Sequence, residues 1–171
     1  RLFKDIEIHG GIPIMWKAGH SLIKNKMKIE GAVLGGEMSG HMFFGDKFFG
    51  YDDAVYAALR LLEILSKTGK RVSELLDGIP QAFSTPEIRV DCPDDIKFQL
   101  TEKVKSEFKK EYNVIDIDGV RIEFPDGWGL IRASNTQPAL VLRFEATNKE
   151  RLKEIRSLIE GRLEETKKRL S

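Results

Sequence analysis

The 171 residues suffice for one large domain or two small ones, and a hydrophobic content of 41% supports a buried core in either case. Lys and Arg number 28 against 27 Asp and Glu, so a formal net charge of +1 gives no broad field toward nucleic acid or an anionic membrane, and an anionic ligand must be held locally. The single cysteine, Cys92, excludes an intramolecular disulfide, and no spacing matches a Cys/His zinc cluster, which together point to a reducing, cytoplasmic setting with no metal held by the chain. No apolar run approaches the roughly 20 residues that span a bilayer. The start at Arg1 carries neither Met nor an apolar leader and reads as a cut inside a longer protein.

In chain order, residues 20–30 (HSLIKNKMKIE) place Leu22, Ile23 and Met27 at near-helical spacing, which predicts a short helix with one buried stripe ending at Gly31. The apolar run at 32–36 predicts a buried strand that delivers residues 37–41 to a loop. Asp52 and Asp53 are candidate caps for a helix carrying Ala54, Val55, Ala58, Leu61, Leu62 and Leu65 up to a stop at Gly69. After one more turn at 72–76, Gly78, Pro80, Ser84, Thr85 and Pro86 break the pattern, and a domain boundary is placed between residues 80 and 81.

The second half opens on an alternating strand at 87–91, followed by Ile96, Leu100, Val104 and Phe108 along one face of a helix. Strands at 114–117, 120–124 and 128–132 follow, separated by Asp118-Gly119 and Pro125-Asp126-Gly127, which is hairpin chemistry. A strand at 139–146 then leads to Asn148, a cap for a long helix with Leu152, Ile155, Ile159, Leu163 and Leu170 on its apolar side. This order predicts an α+β domain with helices on one face of an antiparallel sheet.

Two motifs carry chemistry. In Gly35-Gly-Glu-Met-Ser-Gly-His41, alternation would put Glu37, Ser39 and His41 on a common side of an extended segment. A carboxylate, a hydroxyl and an imidazole can grip a polyol, because a carboxylate accepts from two vicinal hydroxyls. The same residues also make an ordinary Gly-rich turn, and spacing alone leaves both readings open. In Arg132-Ala-Ser-Asn-Thr-Gln-Pro138, the Arg132 guanidinium with Ser134, Asn135 and Thr136 suits a phosphate, although Ser-Asn-Thr is equally good turn chemistry beside a surface arginine. His20 would begin its helix, either facing a ligand or capping it. The aromatic cluster Phe43, Phe44, Phe48, Phe49 and Tyr51 reads as packing, since no basic stripe accompanies it.

Taken together, Trp-Lys-Ala-Gly-His-Ser-Leu-Ile-Lys at 16–24, Gly-Glu-Met-Ser-Gly-His at 36–41 and Arg-Ala-Ser-Asn-Thr-Gln-Pro at 132–138 resemble the phosphohexomutases, over the whole chain. The resemblance implies α/β plus α+β architecture. The latter part of an α/β/α third domain would occupy 1–80 and a TATA-binding-protein-like α+β fourth domain 81–171, a likeness of fold that does not imply DNA binding. It further implies interconversion of hexose 1- and 6-phosphates through a hexose 1,6-bisphosphate. The phosphoserine and the Mg²⁺ loop would lie in earlier domains of the same protein, so this piece alone would be inert. Glu37, Ser39, His41 and His20 would bind the sugar, and Arg132, Ser134, Asn135 and Thr136 the non-reacting phosphate. Met38 points to the branch acting on mannose and glucose phosphates, where phosphoglucosamine mutases tend to carry Gln. Phosphoglucosamine mutase and a non-catalytic phosphosugar-binding module stand as the alternatives.

Overall fold

Two units, Arg1–Pro80 and Gln81–Ser171, divide the chain in the computed structural model, which describes residues 1–170. In the first unit, α1 (Leu2–Ile8) is a helix that the sequence patterning did not single out. Helix α2 (His20–Glu30) starts after Gly19 and ends where Gly31 takes the left-handed conformation, its N–H reaching back to the Met27 carbonyl. Strands β1 (Leu34–Gly36) and β2 (Met42–Phe44) pair antiparallel, with Gly36 opposite Met42. Helix α3 (Ala54–Thr68) is capped by Asp53, which accepts the Tyr56 N–H at 2.8 Å, and stops at Gly69. A single 3₁₀ turn, Val72–Glu74, follows.

The expected buried strand is not found in this unit, and the stripe expected on α2 is only partly buried, with Met27 inside, Ile23 half-buried beside it against Gly35, and Leu22 exposed. Val33 is 62% and Leu34 53% exposed, α2 buries Met27 alone, and α3 buries no residue. The reason is topological: among the described residues β1 pairs only with β2, and two three-residue strands are too small a sheet to cover an apolar helix face. Phe43 and Phe44 are nevertheless buried, so the hairpin is floored by aromatic packing.

The second unit is a six-stranded antiparallel sheet with α4 (Asp94–Phe108) and α5 (Lys149–Lys168) on one face. Its strands are β3 (Phe83–Ser84), β4 (Ile88–Asp91), β5 (Asn113–Ile115), β6 (Val120–Phe124), β7 (Gly127–Ala133) and β8 (Ala139–Ala146). From β8 the sheet runs through β7 and β6 to β5, while β3 and β4 both pair with β8. Pro86 lacks the N–H needed to continue the ladder between β3 and β4. Thr85 bridges the gap: its N–H donates to the Phe144 carbonyl at 3.0 Å, and its hydroxyl accepts the Phe144 N–H at 3.2 Å.

The core forms where the period-2 faces of the strands meet the period-3.6 faces of the helices. Val120, Ile122, Ile131, Leu140, Leu142 and Phe144 face Leu100, Val104 and Phe108 of α4 and Ile155, Ile159 and Leu163 of α5. Each such side chain contributes on the order of 1.5–3 kcal/mol through burial. Cys92 lies in the same core, and burial pushes its thiol above the ordinary value, which disfavours the reactive thiolate. Asn148 caps α5 by accepting the Arg151 N–H at 2.8 Å.

Candidate functional site

The loop between β1 and β2 is a tight turn rather than an extended run. Glu37 N–H donates to the His41 carbonyl at 2.9 Å, and Gly40 N–H to the Glu37 carbonyl at 3.0 Å. The three polar side chains still converge, but by turn closure and not by strand alternation. Ser39 Oγ lies 2.8 Å from His41 Nδ1 and 3.5 Å from Glu37 Oε2. His41 Nδ1 is 3.2 Å from the same carboxylate oxygen.

His20 joins this cluster from the first turn of α2. Its Nε2 lies 3.9 Å from Glu37 Oε2, and its ring meets His41 edge-on at 4.6 Å and the buried Phe43 at 5.2 Å. What aims Glu37 is the backbone of Gly19, whose N–H donates to Oε1 at 2.7 Å. Gly19 sits at φ 130°, a region that L side chains rarely adopt. One carboxylate oxygen is thereby held and the other turned to the two imidazoles. Each oxygen keeps a lone pair for a further donor, which is what reading two hydroxyls requires.

Sequence reasoning missed one member of the neighbourhood. Asp52, assigned with Asp53 to helix capping, instead accepts the Met42 N–H at 3.1 Å through Oδ1 and places Oδ2 3.9 Å from His41 Nε2. Nothing in the local pattern separates the two aspartates; the bridge from Phe43 to Asp52 does.

In the second unit, Arg132, Ser134, Asn135 and Thr136 lie at and beyond the end of β7, with Asn135 and Thr136 exposed. Ser134 differs from expectation. Its Oγ accepts the N–H groups of Thr136 at 3.3 Å and Gln137 at 3.1 Å, so it folds those loop amides onto itself instead of offering them to an anion. Ser134 shapes the loop and keeps only its O–H to donate outward.

Three further residues hold this loop. Asp118 Oδ2 accepts from the Arg132 guanidinium at 3.3 Å. Lys97, 4% exposed, donates from Nζ to the Gln137 carbonyl at 3.0 Å and to Asp94 at 2.5 Å. Arg89 donates to the Gln137 side-chain oxygen. Beside Arg132 lies a cavity of about 160 Å³, also lined by Asp118, Gly119, Thr101 and Asn135. Its walls carry one guanidinium against the carboxylates of Glu102, Asp116 and Asp118, so the only lining charge that attracts an anion is at Arg132.

Replacing Lys97 with Met keeps the buried volume but strips the loop of its ammonium tether. We expect the second unit to lose about 1–3 kcal/mol of stability in urea unfolding, and hydrogen exchange at the Ala139 amide, which donates to Gln137, to accelerate. Unchanged exchange would show that the loop holds its shape without Lys97.

Comparison with known proteins adds an independent line of evidence. Residues 2–83 match the family model described as phosphoglucomutase/phosphomannomutase, alpha/beta/alpha domain III, and residues 87–161 match the C-terminal domain of the same family. The chain is similar to the phosphomannomutase/phosphoglucomutase of Pseudomonas aeruginosa PAO1, with 49% identity over 95% of this chain and 35% of that protein. A phosphoglucomutase of Neisseria gonorrhoeae is 49% identical over 93% of the chain and 35% of its own length. A probable phosphoglucosamine mutase of Methanopyrus kandleri is 36% identical over 86% and 32%. The crystal structure of a phosphoglucomutase/phosphomannomutase family protein from Burkholderia thailandensis superposes with a TM-score of 0.87 at 44% identity, over 98% of this chain and 35% of that one. The chain therefore spans about a third of the length of the relatives it matches.

Proposed function

Because the chain belongs to the phosphoglucomutase/phosphomannomutase family, as its domain III and C-terminal domain, we propose that it forms the substrate-recognition part of an isomerase interconverting hexose 1-phosphates and 6-phosphates of mannose or glucose. The observation that carries this reading is the Glu37 carboxylate, held at one oxygen by Gly19 and turned at the other toward Ser39, His41 and His20. A bisphosphorylated hexose that turns over between two half-reactions roughly exchanges its 3- and 4-hydroxyls, and a fixed acceptor for both serves either orientation. Arg132, Asn135 and Thr136, with the Ser134 hydroxyl, hold the phosphate that is not reacting, and thereby place the other end for in-line transfer. The bisphosphate is the intermediate, and the phosphoryl donor and Mg²⁺ belong to other domains of the whole enzyme. Partners in this reading are the hexose phosphate and those domains.

The Mg²⁺ does not fit this chain. Among the described residues, the one group of three or more His, Cys, Asp or Glu side chains placed to share an ion is His20, Glu37 and His41, and two imidazoles with one carboxylate do not suit a cation that takes oxygen ligands octahedrally. The mannose or glucose assignment over glucosamine rests on Met38 and on the higher identity to the phosphomannomutase/phosphoglucomutase than to the probable phosphoglucosamine mutase. No helix among the described residues is long and apolar enough to cross a membrane, and the one buried thiol accords with a cytoplasmic enzyme.

An NMR titration of this chain with glucose 6-phosphate and mannose 1-phosphate tests the proposal. Amide shifts are expected at residues 19–20, 37–41 and 132–136, with millimolar-range weakness from the missing walls and no turnover even with Mg²⁺ and a bisphosphate activator. Arg132→Lys, which keeps the charge but loses the planar fork, should remove the shifts at 132–136 for both regioisomers. Shifts confined to other surfaces, or turnover by the isolated chain, would overturn the assignment.

A further inference from the structure

The chain has three histidines, and two of them share one solvent-accessible cluster with a carboxylate. We propose that His20, Glu37 and His41 form a binding site for a first-row transition-metal dication of the Zn²⁺ class, with an open coordination position. Spacing supports it. One ligand atom from each residue lies within 4.8 Å of the other two, and a tetrahedral Zn²⁺ with ligands at about 2.0–2.1 Å needs neighbouring donor atoms about 3.3 Å apart. Glu37 Oε2 is already 3.2 Å from His41 Nδ1 and 3.9 Å from His20 Nε2. Both imidazole side chains are nearly half exposed, at 45% and 43%, so a ring rotation closes the remaining gap.

Orientation supports it independently. The Gly19 N–H occupies Glu37 Oε1 and leaves Oε2 to ligate. With His41 Nδ1 turned to the metal position, its other nitrogen lies 3.9 Å from Asp52 Oδ2, and the Met42 N–H holds Asp52 in place. A metal-bound histidine characteristically donates its second N–H to such a carboxylate. The Ser39 hydroxyl now on Nδ1 at 2.8 Å swings off when the metal takes that lone pair. Two neutral imidazoles and one carboxylate leave the bound dication a net positive charge, which draws water or a ligand oxygen into the open position. Imidazole donors select Zn²⁺, Co²⁺, Ni²⁺ and Cu²⁺ over Mg²⁺. On the reading of residues 36–41 as the sugar loop, such a metal would occupy the Glu37 oxygen that the sugar needs, making excess Zn²⁺ an inhibitor.

The test adds ZnCl₂ to the metal-free 171-residue chain and follows the histidine ring nitrogens by NMR. His20 and His41 should shift at one equivalent while His9, whose Nδ1 lies 2.8 Å from the Asp5 carbonyl oxygen outside the cluster, serves as the silent control. CoCl₂ should give the visible bands of a low-coordinate site. These bands should vanish in His20→Ala and in His41→Ala, and titrate with about 10–100-fold weaker affinity in Asp52→Asn, with circular dichroism showing the fold intact. Absence of ring shifts in the unmodified chain, equal shifts at His9, or displacement by Mg²⁺ overturns the proposal. Hexose phosphate added to metal-free protein reports on the sugar reading alone, so shifts at 37–41 there without any Zn²⁺ response sink the metal site and leave that reading standing.

Discussion

If the chain serves the proposed mutase, Glu37→Gln in the complete protein is expected to lower turnover on both the 1- and the 6-phosphate by about 1–3 kcal/mol, roughly 5- to 150-fold, while inorganic phosphate binding at the Arg132 loop stays within about twofold. The asymmetry follows from how the carboxylate is held. Gly19 N–H demands an acceptor at the Oε1 position, at 2.7 Å, so the glutamine oxygen settles there. The amide NH₂ is then forced toward Ser39 and His41, where Oε2 stood. A donor replaces an acceptor at the position that would read the sugar hydroxyls, and the cost is that of a lost charge-assisted hydrogen bond. Steady-state kcat/KM for each regioisomer, set beside a phosphate titration, checks it. An unchanged rate would show that Glu37 does not read the sugar; an equal loss of phosphate affinity would mean that the substitution disturbs more than the loop.

Gly119→Ala should destabilise the second unit by about 3 kcal/mol or more, well beyond the effect of Asp118→Ala. Gly119 turns the chain from β5 into β6 at φ 87°, a conformation costing an alanine about 1–2 kcal/mol by itself. A Cβ there would also stand 2.3 Å from the Ile131 carbonyl oxygen and 2.9 Å from Arg132 Cα. Those are backbone atoms of β7, paired on both edges by β6 and β8, so the strand cannot yield without breaking ladder hydrogen bonds. The turn must lift instead, carrying Asp118 away from the Arg132 guanidinium. Urea unfolding followed by Trp128 fluorescence in a Trp16→Phe background isolates this unit. A loss under about 1 kcal/mol would mean that the turn has room to move.

The longer helices of both units could be read directly from the chain because their information is local. Ile96, Leu100, Val104 and Phe108 lie on one face of α4, the Asn148 side chain reaches only to Arg151, and a glycine ends α2 and α3. Short elements resisted such reading. Helix α1 and strand β2 have too few residues to display a period, and β1 looked buried only because apolar composition does not reveal whether a second layer covers it.

For the candidate site, the sequence by itself determined which chemical groups are present and that Glu37, Ser39 and His41 are close neighbours. Proximity along the chain bounds distance in space. Only the tertiary structure decided which atom of each group points where. Gly19 holds Glu37 across 18 positions, His20 arrives from another helix, and Asp52 turns to His41 instead of capping α3. In the second unit Lys97 reaches Gln137 across 40 positions, and the Gly119 turn brings Asp118 to Arg132. Such pairings depend on which strands and helices come to lie side by side. Loop closure costs only slightly more free energy as the separation grows, so the local pattern of residues carries no mark of the distant partner.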